Sequence, residues 1–371
     1  MPHQITPARL IPVRSPGQSF SFFVLLAFSI LIAACASNPE REPGPPPTYP
    51  PPPEQARLIY DGSLRSSSDI VEPGFGEKLQ AFATGTRIDP DGLAKPYGIA
   101  VKNQRIFISD TQQRAILMFD LVNRQFKIFG REGKGSLLKP LGIDISPENE
   151  IYVIDITAKR IVVFDFDGNY LRGIGSDGLF VRPSGLALDT RGERIYVSDT
   201  GGIESDKHRV LVLDAKTGKL IQTIGKRGRE PGQFNLPLQI ATSKDGRLYV
   251  VDSGNFRVQA FDADGKFMHS FGSAGRRPGQ FSRPKGITTD NDNNVYVVDT
   301  AFGNFQMFNP EGQLLMHVGD RGASGLPGFY MLPAGIDVDE AGRVYLVDQF
   351  FRKIDIFRPA SLPSLEGIPR F

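Results

Sequence analysis

Short apolar runs that end on a single aspartate recur six times along the chain. They are IFISD (106–110), IYVID (151–155), IYVSD (195–199), LYVVD (248–252), VYVVD (295–299) and VYLVD (344–348). Successive aspartates are 45, 44, 53, 47 and 49 residues apart. The runs are rich in β-branched and aromatic residues and bounded by Gly, Pro and Asp, which is typical of strands. A period of this length indicates one supersecondary unit repeated six times.

Each period contains further segments that predict strands. In the first period they are PYGIAV (96–101), ILMFD (116–120) and FKIFG (126–130). Four strands make a blade, and a lone blade cannot bury both of its faces, so neighbouring blades must cover them. The sequence therefore predicts an all-β fold, a six-bladed β-propeller with four antiparallel strands per blade, over residues 55–371.

The sixth repeat lacks a fourth strand. After Phe357 the chain reads RPASLPSLEGIPRF, and its prolines cannot donate to a sheet ladder. We expect RLIY (57–60), at the other end of the propeller, to supply the missing strand. Closure by this N-terminal strand would remove an exposed sheet edge.

The residues before the propeller carry features of an exported protein. Arg9 and Arg14 precede an apolar run, residues 20–34, that has the length of a signal-peptide core and is short for a membrane span. Nine of the fifteen residues from 39 to 53 are proline, which favours a stiff, extended spacer. We expect a signal peptide at 1–34 and a proline-rich linker at 35–54.

Composition narrows the class of partner. The formal net charge is +2, whereas a dedicated nucleic-acid-binding protein is usually distinctly basic, so we expect no nucleic-acid partner. Cys35 is the only cysteine, so no intramolecular disulfide can form and the blades must be stabilised by packing. We expect a monomeric propeller.

The repeat resembles the NHL repeat. The resemblance is carried by Pro-x-Gly-Ile, IYV-x-Asp, and Arg-Ile/Val with VFD and a following Asp-Gly, and it is most complete in residues 236–272. It covers roughly residues 95–358. The resemblance implies a six-bladed propeller and is not specific for any activity.

The residues around Cys35 resemble the lipobox of bacterial lipoproteins. The sequence there is Ile32, Ala33, Ala34 and Cys35. The resemblance implies cleavage before Cys35 and a diacylglyceryl group on its sulfur, so that the protein contacts the membrane through a lipid anchor only. Ala36 stands where the sorting rule of Gram-negative lipoproteins looks for aspartate. This implies an outer-membrane lipoprotein of the cell envelope that faces the periplasm.

We interpret the six repeated aspartates as structural residues of tight turns. They are Asp110, Asp155, Asp199, Asp252, Asp299 and Asp348. In the NHL repeat a basic residue typically follows, a place held here by Arg160, Arg209, Arg257 and Lys353, whereas Ala115 and Asn304 occupy it in repeats one and five. A carboxylate there can pair with the basic residue while it accepts backbone N–H groups. The alternative is a ring of calcium ligands, but we expect no metal or other cofactor.

Function is expected where the repeats differ. Connectors between blades and loops from second to third strands share one face of a propeller, and loops on a rigid scaffold carry function. The residues predicted to form a partner-binding face are Tyr97, His208, Arg227, Arg229, Gln239, Arg276, Arg277, Lys285 and Arg321. An insertion at 200–209 would bring His208 close to Glu204 and Asp206. The basic members would concentrate an anionic partner, either a protein or a polysaccharide.

Catalysis has little support in the sequence, and no catalytic residue is assigned. There are only four histidines, and His269 and His317 fall on predicted outermost strands, so a three-histidine zinc site is not expected. We interpret the chain as a non-enzymatic, lipid-anchored binding scaffold. The alternative is a calcium-dependent lactonase or lyase-like enzyme at the channel mouth; Asp144 and Asp337 also leave a hydrolase open.

Overall fold

The computed structural model describes residues 45–85, 89–175 and 178–370. The predicted signal peptide, Cys35 and the first part of the predicted linker lie outside these residues. A compact unit runs from Pro45 to Phe371. The predicted boundary at residue 55 lies inside this unit, because Thr48–Tyr49 pairs with the strand that closes the propeller.

Six antiparallel sheets form the predicted six-bladed propeller. Five blades take four consecutive strands each. They are Pro96–Lys102, Arg105–Asp110, Ala115–Asp120 and Gln125–Phe129 in blade 1; Pro140–Ile145, Ile151–Asp155, Arg160–Phe164 and Tyr170–Ile174 in blade 2; Pro183–Leu188, Arg194–Asp199, Arg209–Asp214 and Leu220–Ile224 in blade 3; Pro237–Thr242, Leu248–Asp252, Arg257–Phe261 and Phe267–Phe271 in blade 4; and Pro284–Thr289, Val295–Asp299, Asn304–Phe308 and Leu314–Val318 in blade 5.

Blade 6 is closed by the N-terminal strand, as predicted. Its first three strands are Pro333–Val338, Val344–Asp348 and Lys353–Pro359, and the fourth is Leu58–Leu64. The side chain of Ser63, on this fourth strand, hydrogen-bonds the buried carboxylate of Asp355. Asp355 also accepts hydrogen bonds from Tyr330 Oη at 2.9 Å and Lys353 Nζ at 2.7 Å. The closing strand is therefore held by a buried polar network as well as by its backbone ladder.

The core lies between the blades. Side chains alternate across each strand, so that Ile151 and Val153 pack toward blade 1 while Tyr152 and Ile154 pack toward blade 3. Six such apolar clusters occupy the six interfaces between neighbouring blades. The first strands surround the central channel, and glycine lets neighbouring first strands lie close to one another. A Cβ on Gly335 would lie 2.4 Å from the Tyr97 carbonyl oxygen of the next blade.

The propeller has two faces that carry different segments. The connector face holds the segments between blades and the loops from second to third strands, and the hairpin face holds the remaining turns. The segment between blades 6 and 1 contains one α-helix, Phe75–Thr84, which the sequence analysis did not predict. Phe75, Leu79 and Phe82 are exposed by 82, 55 and 88%. The helix therefore adds apolar surface to the connector face.

Shorter elements complete the connector face. A two-stranded parallel ladder joins Asp320–Arg321 to Phe329–Tyr330 between blades 5 and 6. Three short 3₁₀ turns occur at Ser67–Asp69, Gly133–Gly135 and Ser253–Asn255. In the part of the chain that the structure describes, no helix is long and apolar enough to cross a membrane.

Candidate functional site

Each repeated aspartate ties two segments of the connector face together. In blade 1, Asp110 Oδ1 accepts the N–H groups of Gln112 and Gln113 at 3.0 and 2.9 Å. Its Oδ2 accepts those of Ala94 and Lys95, both at 2.8 Å. One oxygen thus closes the turn after the second strand, and the other holds the connector that leads into the first strand. All six aspartates are fully buried, so their carboxylates face these segments and not solvent.

The predicted pairing of these aspartates with a basic residue forms in only two blades. Arg209 pairs with Asp199 at 3.1 Å and Arg257 pairs with Asp252 at 2.9 Å. In blade 2, Arg160 instead donates to the Ser136 carbonyl oxygen at 2.8 Å. In blade 6, Lys353 is directed to Asp355. The basic side chains therefore reach other acceptors where the local connector offers them.

His208 does not lie on the predicted binding face. Its side chain is fully buried, with Nε2 at 2.8 Å from the Gly202 carbonyl oxygen. Its Nδ1 accepts the Leu236 N–H at 3.2 Å. Glu204 and Asp206 are exposed in the same loop. The prediction for His208 is corrected, because the imidazole satisfies backbone groups and holds the insertion against the next blade.

Three of the predicted face residues meet where the channel opens on the connector face. The Lys285 ammonium lies over the Tyr97 ring, 4.4 Å from its centroid, and donates to Gln349 Oε1 at 3.3 Å. The Gln239 side chain lies within hydrogen-bonding reach of Tyr97. Burial raises the pKa of Tyr97. Burial, together with the charges of nearby Lys95 and Arg283, lowers the pKa of Lys285 to about 8.

The channel itself contains a cavity of about 340 Å³ lined by the first strands of all six blades. Asp144 and Asp337 are its two first-strand carboxylates. Asp144 Oδ2 accepts the Leu188 N–H at 2.7 Å, and Asp337 Oδ2 accepts the Val101 N–H at 2.7 Å. A first strand is the inner edge of its sheet, so these N–H groups have no ladder partner. Each carboxylate therefore satisfies a donor of the next blade.

These two carboxyl groups predict a pH dependence of stability. Burial raises the pKa of Asp144 to about 6 and, with the charge of Asp144 adding to burial, that of Asp337 to about 7. Their contribution to the free energy of unfolding is complete below about pH 4 and is lost as the pH rises through 6 and 7. The loss should total about 1 to 3 kcal/mol, less than full burial would give, because solvent in the channel reaches both groups.

Replacing both residues with asparagine tests this pH dependence. Denaturant unfolding of the parent and of the Asp144→Asn, Asp337→Asn variant at pH 4 and pH 8 should show the variant gaining stability relative to the parent at the higher pH. Single variants at Asp189 or Asp245, on the hairpin face, serve as controls. A parent-to-variant difference that is equal at both pH values would contradict the assignment.

The remaining predicted face residues separate into two groups. Arg276, Arg277 and Arg321 line one cavity of about 760 Å³ in blade 5. Arg227 is held by the insertion of blade 3: its Nη1 donates to the Ser205 carbonyl oxygen at 3.2 Å. Arg229 is exposed. The structure thus brings the predicted residues together at the channel mouth and in blade 5, rather than in a single ring.

No group of three or more His, Cys, Asp or Glu side chains is arranged to hold a metal ion within the described ranges. The oxygens of Asp110 are already engaged by N–H groups of its own turn and connector. Those of Asp252 are engaged by the Asn235 N–H and by the side chains of Asn255, Arg257 and Gln259. Calcium binding by these aspartates would require those hydrogen bonds to break.

Comparisons with known proteins agree with the propeller architecture. A family model described as a 6-bladed beta-propeller matches residues 237–305. A probable peptidyl-alpha-hydroxyglycine alpha-amidating lyase of Caenorhabditis elegans is 32% identical over 30% of this chain and 31% of its own length. NHL repeat-containing protein 3 of Mus musculus is 33% identical over 25% of this chain and 26% of its own length. The chain thus spans about a third or less of these curated relatives, and the matches support a propeller of the NHL type.

Solved structures show the same fold at low identity. A gluconolactonase from Xanthomonas campestris has a TM-score of 0.55 and 18% identity, covering 72% of this chain and 86% of that chain. A virginiamycin B lyase from Staphylococcus aureus has a TM-score of 0.53 and 16% identity, covering 71% of this chain and 94% of that chain. At this identity the likeness concerns the fold and not the reaction, because one fold hosts many activities.

Proposed function

We propose that the protein is a lipid-anchored propeller of the bacterial envelope that binds an anionic partner, a protein or a polysaccharide, through its connector face. It acts as a binding scaffold and not as an enzyme. The observation that supports this proposal best is the concentration of exposed basic and apolar side chains on one face. The anchor part of the proposal depends on the lipobox resemblance at Cys35.

Most of the large exposed apolar side chains lie on the connector face. Among the described residues, nine of the fifteen large apolar side chains that are exposed belong to segments of the connector face. They are Phe75, Leu79, Phe82, Leu138, Ile203, Leu326, Phe329, Leu332 and Phe350. Val122 belongs to the hairpin face, and the others lie on outer strands. Concentrated exposed apolar surface marks interaction sites on soluble domains.

Charged side chains also differ between the connector face and the hairpin face. Exposed basic side chains of the connector face include Lys95, Arg131, Lys134, Lys139, Arg182, Lys226, Arg227, Arg229, Arg276, Arg277, Arg283 and Arg321. The turns of the hairpin face carry more acidic than basic residues. A face with excess positive charge and apolar side chains steers an anionic partner and then buries surface against it.

Charge reversal tests the binding face. A variant with Arg227, Arg229, Arg276 and Arg277 replaced by glutamate should lose most of its partner association at low salt and much less at high salt, because exposed charges act over a Debye length of about 8 Å at physiological ionic strength. The measurement is affinity capture from an envelope extract, compared with the parent. All four residues lie in connectors, so the fold should survive.

A matched variant distinguishes a specific face from general charge. Lys216, Lys219, Lys244 and Lys266 are exposed in turns of the hairpin face, and their replacement by glutamate changes the net charge equally. That control should capture the partner as the parent does. Equal capture by the connector-face variant would contradict the proposal.

The lipid anchor is tested by replacing Cys35. In the same cells, Cys35→Ser should leave the protein soluble or uncleaved, and unchanged membrane partition would contradict the anchor.

One observation favours a second candidate, a hydrolase that uses the channel. Asp144 and Asp337 are two carboxyl groups with raised pKa in one cavity, a pattern found in acid–base sites. Their hydrogen bonds to Leu188 and Val101 give both a structural role as well. The Asp144→Asn, Asp337→Asn variant that tests the pH dependence would also abolish such an activity.

A further inference from the structure

Blade 5 departs from its neighbours at the start of its third strand. Arg160, Arg209 and Arg257 begin the third strands of blades 2, 3 and 4, whereas Asn304 begins that of blade 5. Asn304 lines the cavity of about 760 Å³ that also contains Arg276, Arg277 and Arg321. The size lies within the range of about 300 to 1,000 Å³ that is typical of small-molecule sites.

The space that an arginine fills in blade 4 is open in blade 5. In blade 4, the Arg257 guanidinium spans from Asp252 to the connector, where Nη2 donates to the carbonyl oxygens of Glu230 and Gln233, both at 3.0 Å. The shorter Asn304 side chain cannot reach across the corresponding space. Asp299 retains its backbone donors, including the N–H groups of Ala301 and Ser282 at 2.9 and 2.7 Å. The turn is thus preserved while the space above it stays open.

The floor of the cavity has an unused acceptor. Asn304 is 9% exposed, and its Oδ1 is buried with no hydrogen-bond partner among the described residues. In Gln306 beside it both polar atoms have partners, because its Oε1 accepts the Gly279 N–H at 2.7 Å and its Nε2 donates to the Gln280 carbonyl oxygen at 2.9 Å. Buried polar atoms are nearly always hydrogen-bonded. The orphaned oxygen therefore points to a ligand that supplies a donor.

The walls of the cavity indicate the charge of that ligand. Three guanidinium groups, those of Arg276, Arg277 and Arg321, stand against one carboxylate, that of Asp320. The half-buried ring of Phe302 and the exposed imidazole of His317 also line the cavity. Guanidinium groups bind carboxylates in a bidentate geometry that lysine cannot reproduce. The site combines charge for an anion, an acceptor for a hydroxyl and an aromatic surface.

We propose that this cavity of blade 5 binds an acidic sugar unit of a polysaccharide. The arginines hold the carboxylate, a sugar hydroxyl donates to Asn304 Oδ1, and the apolar face of the sugar packs near Phe302. This inference rests on the proposed function and deepens it, because it assigns the anionic partner to the saccharide class and its recognition to blade 5.

The test uses the full-length protein in detergent and an oligomer of glucuronic acid as the probe, with an oligomer of glucose as the neutral comparison. Calorimetry should show binding of the acidic oligomer only. Asn304→Arg should fill the cavity and pair with Asp299 as Arg257 pairs with Asp252, so that affinity falls at least about tenfold while thermal stability is kept or raised. This variant introduces the side chain that begins the third strand in blades 2, 3 and 4, and its retained thermal stability shows that misfolding does not explain the loss of affinity.

A second pair of variants locates the carboxylate. Arg276→Ala should weaken binding about tenfold or more, whereas Lys244→Ala, which removes an exposed lysine from a turn of the hairpin face, should stay within about twofold of the parent. Unchanged affinity in Asn304→Arg, equal binding of the neutral oligomer, or no binding of the acidic oligomer by the parent would each overturn the inference. If the parent still captures a partner that the connector-face variant does not capture, the proposed function stands even though the saccharide site in blade 5 is overturned.

Discussion

Deletion of residues 45–64 is expected to remove most of the free energy of unfolding. The strand Leu58–Leu64 buries Leu58 and Tyr60 against blade 5 and Leu64 against blade 1. Each large apolar side chain contributes about 1.5 to 3 kcal/mol when fully buried. Their sum is comparable with the whole stability of a typical domain, about 5 to 15 kcal/mol.

Polar contacts add to this loss. Without Ser63, the buried Asp355 carboxylate loses one hydrogen-bond donor while Lys353 and Tyr330 remain on it. The strand Lys353–Pro359 also becomes an exposed sheet edge, which is a template for aggregation. We therefore expect the truncated protein to aggregate as well as to unfold at lower denaturant concentration.

Deletion of residues 360–371 is the control for this experiment. That segment covers the closing strand, with the Ser63 N–H donating to the Pro369 carbonyl oxygen at 2.9 Å and Ile368 buried. It contributes no strand to a blade, so its removal should cost about 1.5 to 3 kcal/mol. Denaturant unfolding followed by circular dichroism and gel filtration compares the two truncations. Equal midpoints would show that closure by the N-terminal strand is not what holds blade 6.

Asp110→Ala is expected to lower the free energy of unfolding by about 3 to 5 kcal/mol. The change removes the acceptor of four backbone N–H groups, those of Ala94, Lys95, Gln112 and Gln113. A buried donor left without an acceptor costs about 1 to 3 kcal/mol. The four residues that donate here are partly exposed, which lowers the sum of their costs. The connector into blade 1 should loosen together with the turn, and hydrogen exchange of these four amides would record it.

Asp110→Asn is the matched variant for this aspartate. It keeps one oxygen in place and should cost clearly less than the alanine change. Neither variant should alter the calcium content of the purified protein, since both oxygens are engaged by backbone donors in the parent. Stoichiometric calcium in the parent that is lost in Asp110→Ala would instead establish the repeated aspartates as ligands.

Much of the architecture could be predicted from local pattern. A strand that alternates apolar side chains across two inter-blade cores, as in IYVID, reads as a continuous apolar run. The aspartate at its end marks a turn, and the prolines after Phe357 exclude a last strand there. These signals depend only on neighbours in the sequence, so the blade count, the strand order and the closing strand follow from them.

The candidate site was only partly predictable, because its contacts join different blades. The Lys285 and Tyr97 side chains meet across the channel mouth, although they are far apart in the sequence. His208 was expected on the surface, since the neighbouring sequence does not show that its ring hydrogen-bonds the Gly202 carbonyl oxygen and the Leu236 N–H. The helix Phe75–Thr84 was missed because its apolar side chains face outward instead of joining a core.

The sequence by itself determined the repeat, the fold class and the chain segment that closes the propeller, because each is encoded in short-range patterns of apolar residues, aspartate and proline. Only the tertiary structure decided which side chains share a site. Asn304 is visible in the sequence as a missing arginine, yet the cavity it leaves depends on a connector from blade 4 and another toward blade 6. Burial, cavity volume and unpaired acceptors arise from packing between distant segments, so they have no local signature.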